Sequence, residues 1–290
     1  MISIENDVLS VQLSPKGGTL QSIFHKKNGR EYLWQGDRAY WGGRAPNLFP
    51  FVGRLYQERY TYDGRSYPMK CHGFLGKTEL EEKQTAPDCC AFLLTDSTQT
   101  RAIYPFHFFL RLEYKLEDNR IHVCYRVKNT GTHTMYCGFG GHPGFRIPLE
   151  EGLAFEDYQV SFPGRTDPKL VCFSGSVLTA DKIPYELEDG CKLRMNHGLF
   201  CFDAVVFADC GREVTLSSPK GQHGVTVRYQ DMPYVGFWHK PNTDAPFLCI
   251  EPWSVLPGRE GIVEDIASMA DMTAIAPQET ATIQWSIEIF

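Results

Sequence analysis

The chain has 290 residues and a mass of 33.0 kDa; 42% of the residues are hydrophobic and 22% are charged. This balance is typical of a soluble globular protein and excludes a disordered or fibrous chain. The formal net charge of −6 provides no basic field for nucleic acid or anionic lipid, and no window approaches the roughly 18 apolar residues of a membrane helix.

The N-terminal residues predict a first strand. Glu5 and Asp7 stand where a signal peptide has basic residues followed by an apolar run, so we expect a cytoplasmic protein. The ten cysteines include no C-x-x-C pair. We therefore predict buried thiols, with neither a disulfide framework nor a zinc ribbon.

A period of two in hydrophobicity dominates the chain and predicts half-buried strands. Asp63-Gly64 indicates a first hairpin turn. Apolar and polar residues then alternate over 110–116 and 121–127, and Asp118-Asn119 joins these two segments as a second hairpin. The last clear alternation covers 283–289.

Helical periodicity is scarce. Only 179–187 and 267–272 are expected to hold a turn or two of helix, while Ser-Pro-Lys-Gly at 218–221 predicts another hairpin. The 26 glycines and 18 prolines indicate many turns. The sequence therefore predicts an all-β protein, a sandwich of large antiparallel sheets with few short helices, as one domain over residues 1–290.

Two segments that are unlike strands offer polar groups on Gly- or Pro-containing loops. In 41–54, Arg44 and Arg54 flank an apolar stretch in which two prolines exclude a central strand. Their guanidinium groups suit sugar hydroxyls or a phosphate, and the alternative is a solvated surface loop. In 71–76, His72 precedes a glycine that permits close backbone approach to a ligand; a structural histidine is the alternative.

Two further segments each contain one candidate ionisable residue. Five of the eight residues in 138–145 are Gly or Pro, and they enclose His142; Pro143 in place of a third glycine excludes a dinucleotide loop. Glu251 ends an apolar strand beside Trp253, where desolvation would raise the carboxyl pKa toward that of a useful base. The alternatives are an incidental turn histidine and a carboxylate paired with an arginine for structure.

Asp203 lies within the apolar segment 199–207, so it is either a structural hydrogen-bond partner or a ligand contact. The chain has no G-x-S-x-G elbow and no tight metal-ligand spacing, so neither a serine hydrolase nor a metal or other cofactor is predicted. Histidines, carboxylates and arginines on a β scaffold suit general acid–base work on a neutral polyol, whose CH faces would stack on aromatic rings such as Trp253.

Six pieces of this sequence, in order, resemble the aldose 1-epimerase (galactose mutarotase-like) family, in particular its LacX-type bacterial branch. They are A-P-N-L-F-P-F-V-G-R at 45–54, Y-T-Y-D-G at 60–64, H-G-F at 72–74, G-H-P-G-F at 141–145, F-D-A at 202–204 and L-C-I-E-P-W at 248–253. The resemblance implies a β-supersandwich with a concave sugar-binding face, and a reaction that interconverts the α and β anomers of an aldohexose.

The resemblance also implies a role for each matching residue. Glu251 matches the general base at the anomeric hydroxyl, and His142 the general acid at the ring oxygen. His72 matches a second, assisting histidine, while Arg54 and Asp203 match groups that bind sugar hydroxyls. The imidazole must start protonated and the carboxylate ionised, and we expect the shared site to favour that charge pair.

Three other functions compete with a mutarotase. A hexose-6-phosphate 1-epimerase would use Arg44, Arg54 and Arg259 as a phosphate clamp. A non-catalytic sugar-binding protein would need neither a proton donor nor a base. A glycoside hydrolase would pair Glu251 with Asp203. In each case the expected partner is a small sugar or sugar phosphate, without nucleic acid or membrane, and the protein is a monomer or homodimer.

Overall fold

The computed structural model describes residues 1–174, 177–179 and 181–290, and within them strands predominate. In chain order the strands are β1 (Ile2–Glu5), β2 (Leu9–Ser14), β3 (Thr19–His25), β4 (Arg30–Glu31), β5 (Asn47–Leu48), β6 (Arg59–Tyr62), β7 (Arg65–Pro68), β8 (Glu81–Ala86), β9 (Cys89–Thr95), β10 (Phe108–Glu117), β11 (Arg120–Asn129), β12 (Met135–Cys137), β13 (Gly140–Gly141), β14 (Gly144–Arg146), β15 (Gln159–Ser161), β16 (Lys169–Leu170), β17 (Phe173–Ser174), β18 (Val177–Leu178), β19 (Ile183–Pro184), β20 (Lys192–Arg194), β21 (Val205–Ala208), β22 (Glu213–Ser217), β23 (Gly224–Arg228), β24 (Tyr234–Trp238), β25 (Phe247–Trp253), β26 (Thr273–Ile275) and β27 (Thr280–Ile289).

Two large antiparallel sheets organise these strands. One has nine strands in the order β20-β15-β22-β23-β27-β11-β10-β9-β8. The other has the order β19-β16-β21-β24-β25-β13-β5, with β14 also paired to β25. A four-stranded sheet, β1-β2-β3-β4, and three two-stranded ribbons, β12-β26, β17-β18 and β6-β7, complete the described part. The predicted all-β fold of large antiparallel sheets is confirmed.

Direct contacts between the two large sheets show that they pack face to face. Tyr125 of β11 donates a hydrogen bond to the Asn47 side chain of β5 at 2.6 Å, and its hydroxyl also lies 3.0 Å from the carbonyl oxygen of Gly140 in β13. Gly141 lies against Trp285 of β27, where a Cβ atom would come within 2.4 Å of the indole. Only glycine allows the two sheets to approach this closely.

The core follows the predicted alternation. In β10 and β11, every residue predicted to face inward is buried, and the apolar side chains form one large cluster between the sheets. In β27, Trp285, Ile287 and Ile289 are buried, while Ile283 is only half-buried. Burial of these apolar faces, at about 25 cal/mol per Å² removed from water, is the main force that joins the sheets.

The predicted hairpins are also present. Asp63 (φ 48°) and Gly64 (φ 69°) both adopt positive φ between β6 and β7, as a two-residue hairpin turn requires. Asp118-Asn119 connects β10 to β11, and residues 218–223 connect β22 to β23.

The expected helical turns are not where the sequence placed them. Residues 267–272 form turns without a helix, and 179–187 contains the short strand β19, although residue 180 lies outside the described part. The α-helix of the described residues is Thr98–Ile103, which begins with a capping box between Ser97 and Thr100. Short 3-10 helices cover Tyr56–Glu58, Leu75–Lys77, Phe155–Asp157 and His197–Phe200. None of the described helices has the length and apolar character needed to cross a membrane.

Candidate active site

A cavity of about 460 Å³ opens on the sheet that contains β25. Six of the seven residues predicted for the site line it: Arg54, His72, His142, Asp203, Glu251 and Trp253. They come from strands and loops far apart in the sequence, and the sheet topology brings them together. The cavity has the size of a small-molecule site.

His142 and Glu251 form the polar centre of the cavity. Glu251 lies in β25, which is buried on both faces, and it pairs with Gly236 of the neighbouring strand β24. His142 occupies the turn between β13 and β14, where its backbone N–H donates to the Pro46 carbonyl at 3.1 Å. The His142 Nε2 atom lies 3.3 Å from Glu251 Oε1, and both side chains are at least 90% buried.

Burial dominates the ionisation of this pair. Desolvation lowers the pKa of His142 well below its usual value, and the neighbouring His72 acts in the same direction. Desolvation raises the pKa of Glu251 well above its usual value, partly opposed by a hydrogen bond from Trp253. Contrary to the sequence expectation of a favoured charge pair, burial favours the neutral forms, because neither charge keeps its hydration.

Three aromatic rings enclose the His142 imidazole. The Trp41 indole stacks on it with ring centroids 5.0 Å apart, and Trp238 and His72 approach edge-on at 5.6 and 5.5 Å. An indole face within about 6 Å attracts a cation. Stacking on Trp41 therefore favours the imidazolium and partly offsets the cost of desolvating it.

His72 is held by a tight turn. Its own φ is +65°, and the next residue, Gly73, has φ +71° and lies where a Cβ atom would come within 2.2 Å of the Phe49 carbonyl oxygen. The Gly53 N–H donates to His72 Nδ1 at 3.1 Å. Burial lowers the pKa of His72 to about 4, so the ring is neutral near pH 7. With Nδ1 accepting, Nε2 carries the hydrogen and is a donor.

Trp253 and Asp203 contact the cavity in different ways. Trp253 donates its indole N–H to Glu251 Oε2 at 3.3 Å, so it fixes the carboxylate as well as lining the wall. Asp203 precedes β21, and its Oδ1 accepts from the Ala204 N–H at 2.9 Å. The carboxylate of Asp203 also helps to raise the pKa of Glu251 through like-charge repulsion.

The arginines are not gathered into a clamp. Arg54 lines the cavity, and its side chain is 48% exposed and 3.6 Å from Glu58. Arg44, predicted to bind substrate, lies outside the cavity and instead contacts the Gln21 carbonyl and the Gln35 side chain. Arg259 lies in a separate surface depression and pairs with Glu264 at 2.8 Å. The suggested phosphate clamp of three arginines is therefore not assembled.

The polar centre of the cavity also contains three possible metal ligands. His142, Cys249 and Glu251 each present a donor atom, and the three atoms lie within 4.8 Å of one another. Nitrogen, sulfur and oxygen donors in this arrangement suit a divalent cation such as Zn²⁺. Sequence spacing did not indicate the cluster, because the imidazole comes from a turn remote from β25.

Several lining residues of the cavity were not predicted as site residues from the sequence, among them Trp41, Trp238 and Phe202. Trp41 and Trp238 enclose the imidazole, and Phe202 lies at the cavity wall with its side chain 97% exposed. The available signal for Phe202 was its place beside Asp203, a candidate ligand contact, in F-D-A at 202–204. Trp41 opens the unusual segment 41–54, which was its signal, whereas Trp238 ends a strand and carries no signal that separates a cavity wall from a hydrophobic core.

Comparisons with known proteins identify the family of the chain. A model of the family described as aldose 1-epimerase matches residues 1–265. The chain is 34% identical to the plasmid-encoded protein LacX of Lactococcus lactis subsp. lactis, over 99% of each chain, and equally to its chromosomal counterpart.

Solved structures of related proteins superpose closely on this chain. A galactose mutarotase related enzyme from Lactobacillus acidophilus superposes with a TM-score of 0.93 at 31% identity, covering 100% of this chain and 97% of the other. A galactose mutarotase-like protein from Lactobacillus casei also gives a TM-score of 0.93, at 27% identity over the whole of both chains. On this evidence the chain belongs to the aldose 1-epimerase family.

Proposed function

We propose that the protein is a mutarotase that interconverts the α and β anomers of an aldohexose by acid–base ring opening and reclosure. The observation that carries the proposal is the buried pair in the cavity, with His142 Nε2 and Glu251 Oε1 3.3 Å apart. Ring opening needs one proton removed from the substrate and another delivered a short distance away, and this pair provides one group for each task.

The number of protons on the His142–Glu251 pair suits this reaction. A neutral imidazole beside a protonated carboxyl contains the same number of protons as an imidazolium beside a carboxylate. The two arrangements differ only in the position of one proton, so the reactive form needs no proton from solvent. Burial favours the neutral arrangement, while stacking on Trp41 and donation by Trp253 favour the ionic one.

Ring opening transfers one proton to Glu251 and one proton from His142. The Glu251 carboxylate takes the proton of the anomeric hydroxyl O1, and O1 forms a double bond to C1. The C1–O5 bond breaks, and its electron pair stays on O5, which takes the proton from His142 Nε2. Rotation about the C1–C2 bond presents the other face of the aldehyde. On reclosure His142 takes the proton from O5 and Glu251 returns one to O1, so both groups are regenerated.

The remaining residues hold the sugar in this mechanism. His72 donates from Nε2 beside the ring oxygen, Arg54 donates to hydroxyls and Asp203 accepts from them. The wall provides aromatic faces for the CH groups of the sugar. A cavity with donors, acceptors and aromatic rings suits a neutral polyol.

Polarimetry or NMR of freshly dissolved α-D-glucose and α-D-galactose tests the proposal. Wild type should accelerate equilibration of the anomers, and Glu251→Gln and His142→Asn should each lower the rate by about 10²–10⁴-fold. Glu117→Gln and His133→Asn make the same chemical changes at exposed positions and should retain full activity. Full activity in either cavity variant would refute the assignment. If the enzyme accelerates equilibration of hexose 6-phosphates but not of free sugars, then its substrate is a sugar phosphate.

A further inference from the structure

A second pair of histidines lies behind one wall of the cavity. His197 begins the 3-10 helix His197–Phe200, and His239 directly follows β24. Their rings are hydrogen-bonded, with His197 Nδ1 3.1 Å from His239 Nε2. His239 has no exposed surface, whereas the His197 side chain is 28% exposed, so the bond is partly buried.

The direction of the bond follows from its neighbours. His239 Nδ1 lies 2.8 Å from the Lys240 carbonyl oxygen, which only accepts, so Nδ1 carries a hydrogen. Burial lowers the pKa of His239 to about 4, so the ring is neutral near pH 7 and its Nε2 is an acceptor. His197 Nδ1 must therefore be the donor.

The surroundings of the pair are mainly aromatic. Phe155 stacks on the His197 ring with centroids 4.1 Å apart, and Phe200 flanks His239 at 4.4 Å. Among the described residues, the ionisable group facing the pair is Glu156, whose Oε1 lies 3.9 Å from His197 Nε2. The Lys240 ammonium donates instead to the Ala39 carbonyl.

The bond links two segments that form the cavity wall. The chain runs from the His197 helix directly into Phe202 and Asp203, and His239 stands between Trp238 and Pro241, two other wall residues. Asn242 makes a second link, because its side-chain amide donates to the Cys201 carbonyl at 3.3 Å. Residues 201–204 and 239–242 lie outside the strands and helices, and these bonds tie one segment to the other.

We propose that the His197–His239 hydrogen bond positions the wall segments 201–204 and 239–242, which makes both histidines positioning residues for sugar binding. This role rests on the proposed mutarotase function. Trp238 itself is kept in place by strand pairing with Cys249, so loss of the bond displaces the outer wall and leaves the acid and base where they are. The expected effect is a higher KM with little change in kcat.

The bond should persist through the neutral pH range. Protonation of His239 removes the acceptor, and this occurs only near its pKa of about 4. The range from pH 5.5 to 8 lies well above that pKa. Over this range, protonation of His239 should therefore cause no change in the KM of the wild type.

His197→Phe and His197→Asn separate the hydrogen bond from ring packing. Phenylalanine keeps the stack on Phe155 and loses the donor, whereas the asparagine amide places a donor near the position of Nδ1. Loss of one neutral hydrogen bond is worth about 1 kcal/mol, which corresponds to a roughly fivefold rise in KM for the phenylalanine variant. The asparagine variant should recover most of this loss, and His133→Phe is the matched control at an exposed histidine.

Amide hydrogen exchange provides a readout that does not depend on activity. Segments 201–204 and 239–242 should exchange faster in His197→Phe than in wild type and His133→Phe. Unchanged KM and unchanged exchange would overturn the proposal, as would equal KM values for the Phe and Asn variants or a fall in kcat at constant KM. If the wild type catalyses no mutarotation, the proposed function fails, and the exchange comparison alone then decides the positioning role.

Discussion

Replacing Trp253 by phenylalanine removes one hydrogen bond to the catalytic base while keeping an aromatic ring at the same place. The indole N–H donates to Glu251 Oε2 at 3.3 Å, and this bond opposes the desolvation that raises the carboxyl pKa. Without it, the pKa of Glu251 should rise further. The productive arrangement, an imidazolium beside a carboxylate, would then be a smaller fraction of the pair near neutrality.

The geometry sets the magnitude. Hydrogen bonds to charged groups contribute about 1.5–3 kcal/mol, and the 3.3 Å length places this one at the lower end. Since a tenfold change corresponds to about 1.4 kcal/mol, we expect a roughly tenfold loss of kcat/KM near pH 7. The alkaline limb of the pH–rate profile should move upward by about one pH unit, because the active pair carries one proton in total and loses it at high pH from Glu251, whose pKa is raised.

NMR of anomer exchange between pH 5 and 9 measures both quantities. Trp285→Phe makes the same change at a buried tryptophan of β27 outside the cavity, and it should leave the profile in place. Thermal melting of both variants separates a loss of fold from a loss of chemistry. If Trp253→Phe keeps the wild-type limb and rate, the indole does not act through Glu251 and our account of the base is wrong.

Three other predictions concern the His72–Gly73 turn, the possible metal ligands and the Arg259–Glu264 ion pair. Gly73→Ala should lower the melting temperature and the activity together, because the new Cβ would meet the Phe49 carbonyl oxygen at 2.2 Å in a backbone with φ +71°; a cost of about 1–3 kcal/mol is expected by denaturant titration, and unchanged stability would contradict it. Zn²⁺ should inhibit reversibly by occupying the acid–base pair with the Cys249 thiol, and a chelator should restore activity; equal inhibition of Cys249→Ser would exclude the thiol as a ligand. Arg259→Met should cost about 1–3 kcal/mol of stability, because it leaves the buried Glu264 carboxylate without its partner, and it should keep full mutarotation; a selective loss of activity on sugar phosphates would restore the clamp hypothesis.

The strands of this protein could be predicted because their signal is local. Alternation over 110–116 and 121–127, and the turn residues Asp63-Gly64 and Asp118-Asn119, specify half-buried strands and hairpins without reference to any other part of the chain. The helical expectation for 267–272 failed for the opposite reason. A few apolar residues at helical spacing are too short a pattern to form a helix unless tertiary packing supports it.

The candidate site was predicted in part, and its chemistry only by type. His142 and Glu251 stand in segments whose glycines, prolines and aromatics are unlike strands, so the sequence drew attention to them. Arg44 stands in an equally unusual segment, yet its side chain turns away to Gln21 and Gln35. The direction of a loop side chain depends on which neighbour accepts its hydrogen bonds, and composition does not specify that neighbour.

The all-β fold class, the main hairpins and, through the resemblance to a family, the residues expected to act as acid and base could all be predicted from the sequence. How those residues are used depends on the packing of the folded chain. Distances such as the 3.3 Å between His142 and Glu251, and the stack of Trp41 on the imidazole, depend on strand order and on contacts between segments some 100 residues apart in the chain. Burial and its effect on both pKa values follow from that packing, because the loss of water around a charge depends on everything packed against it.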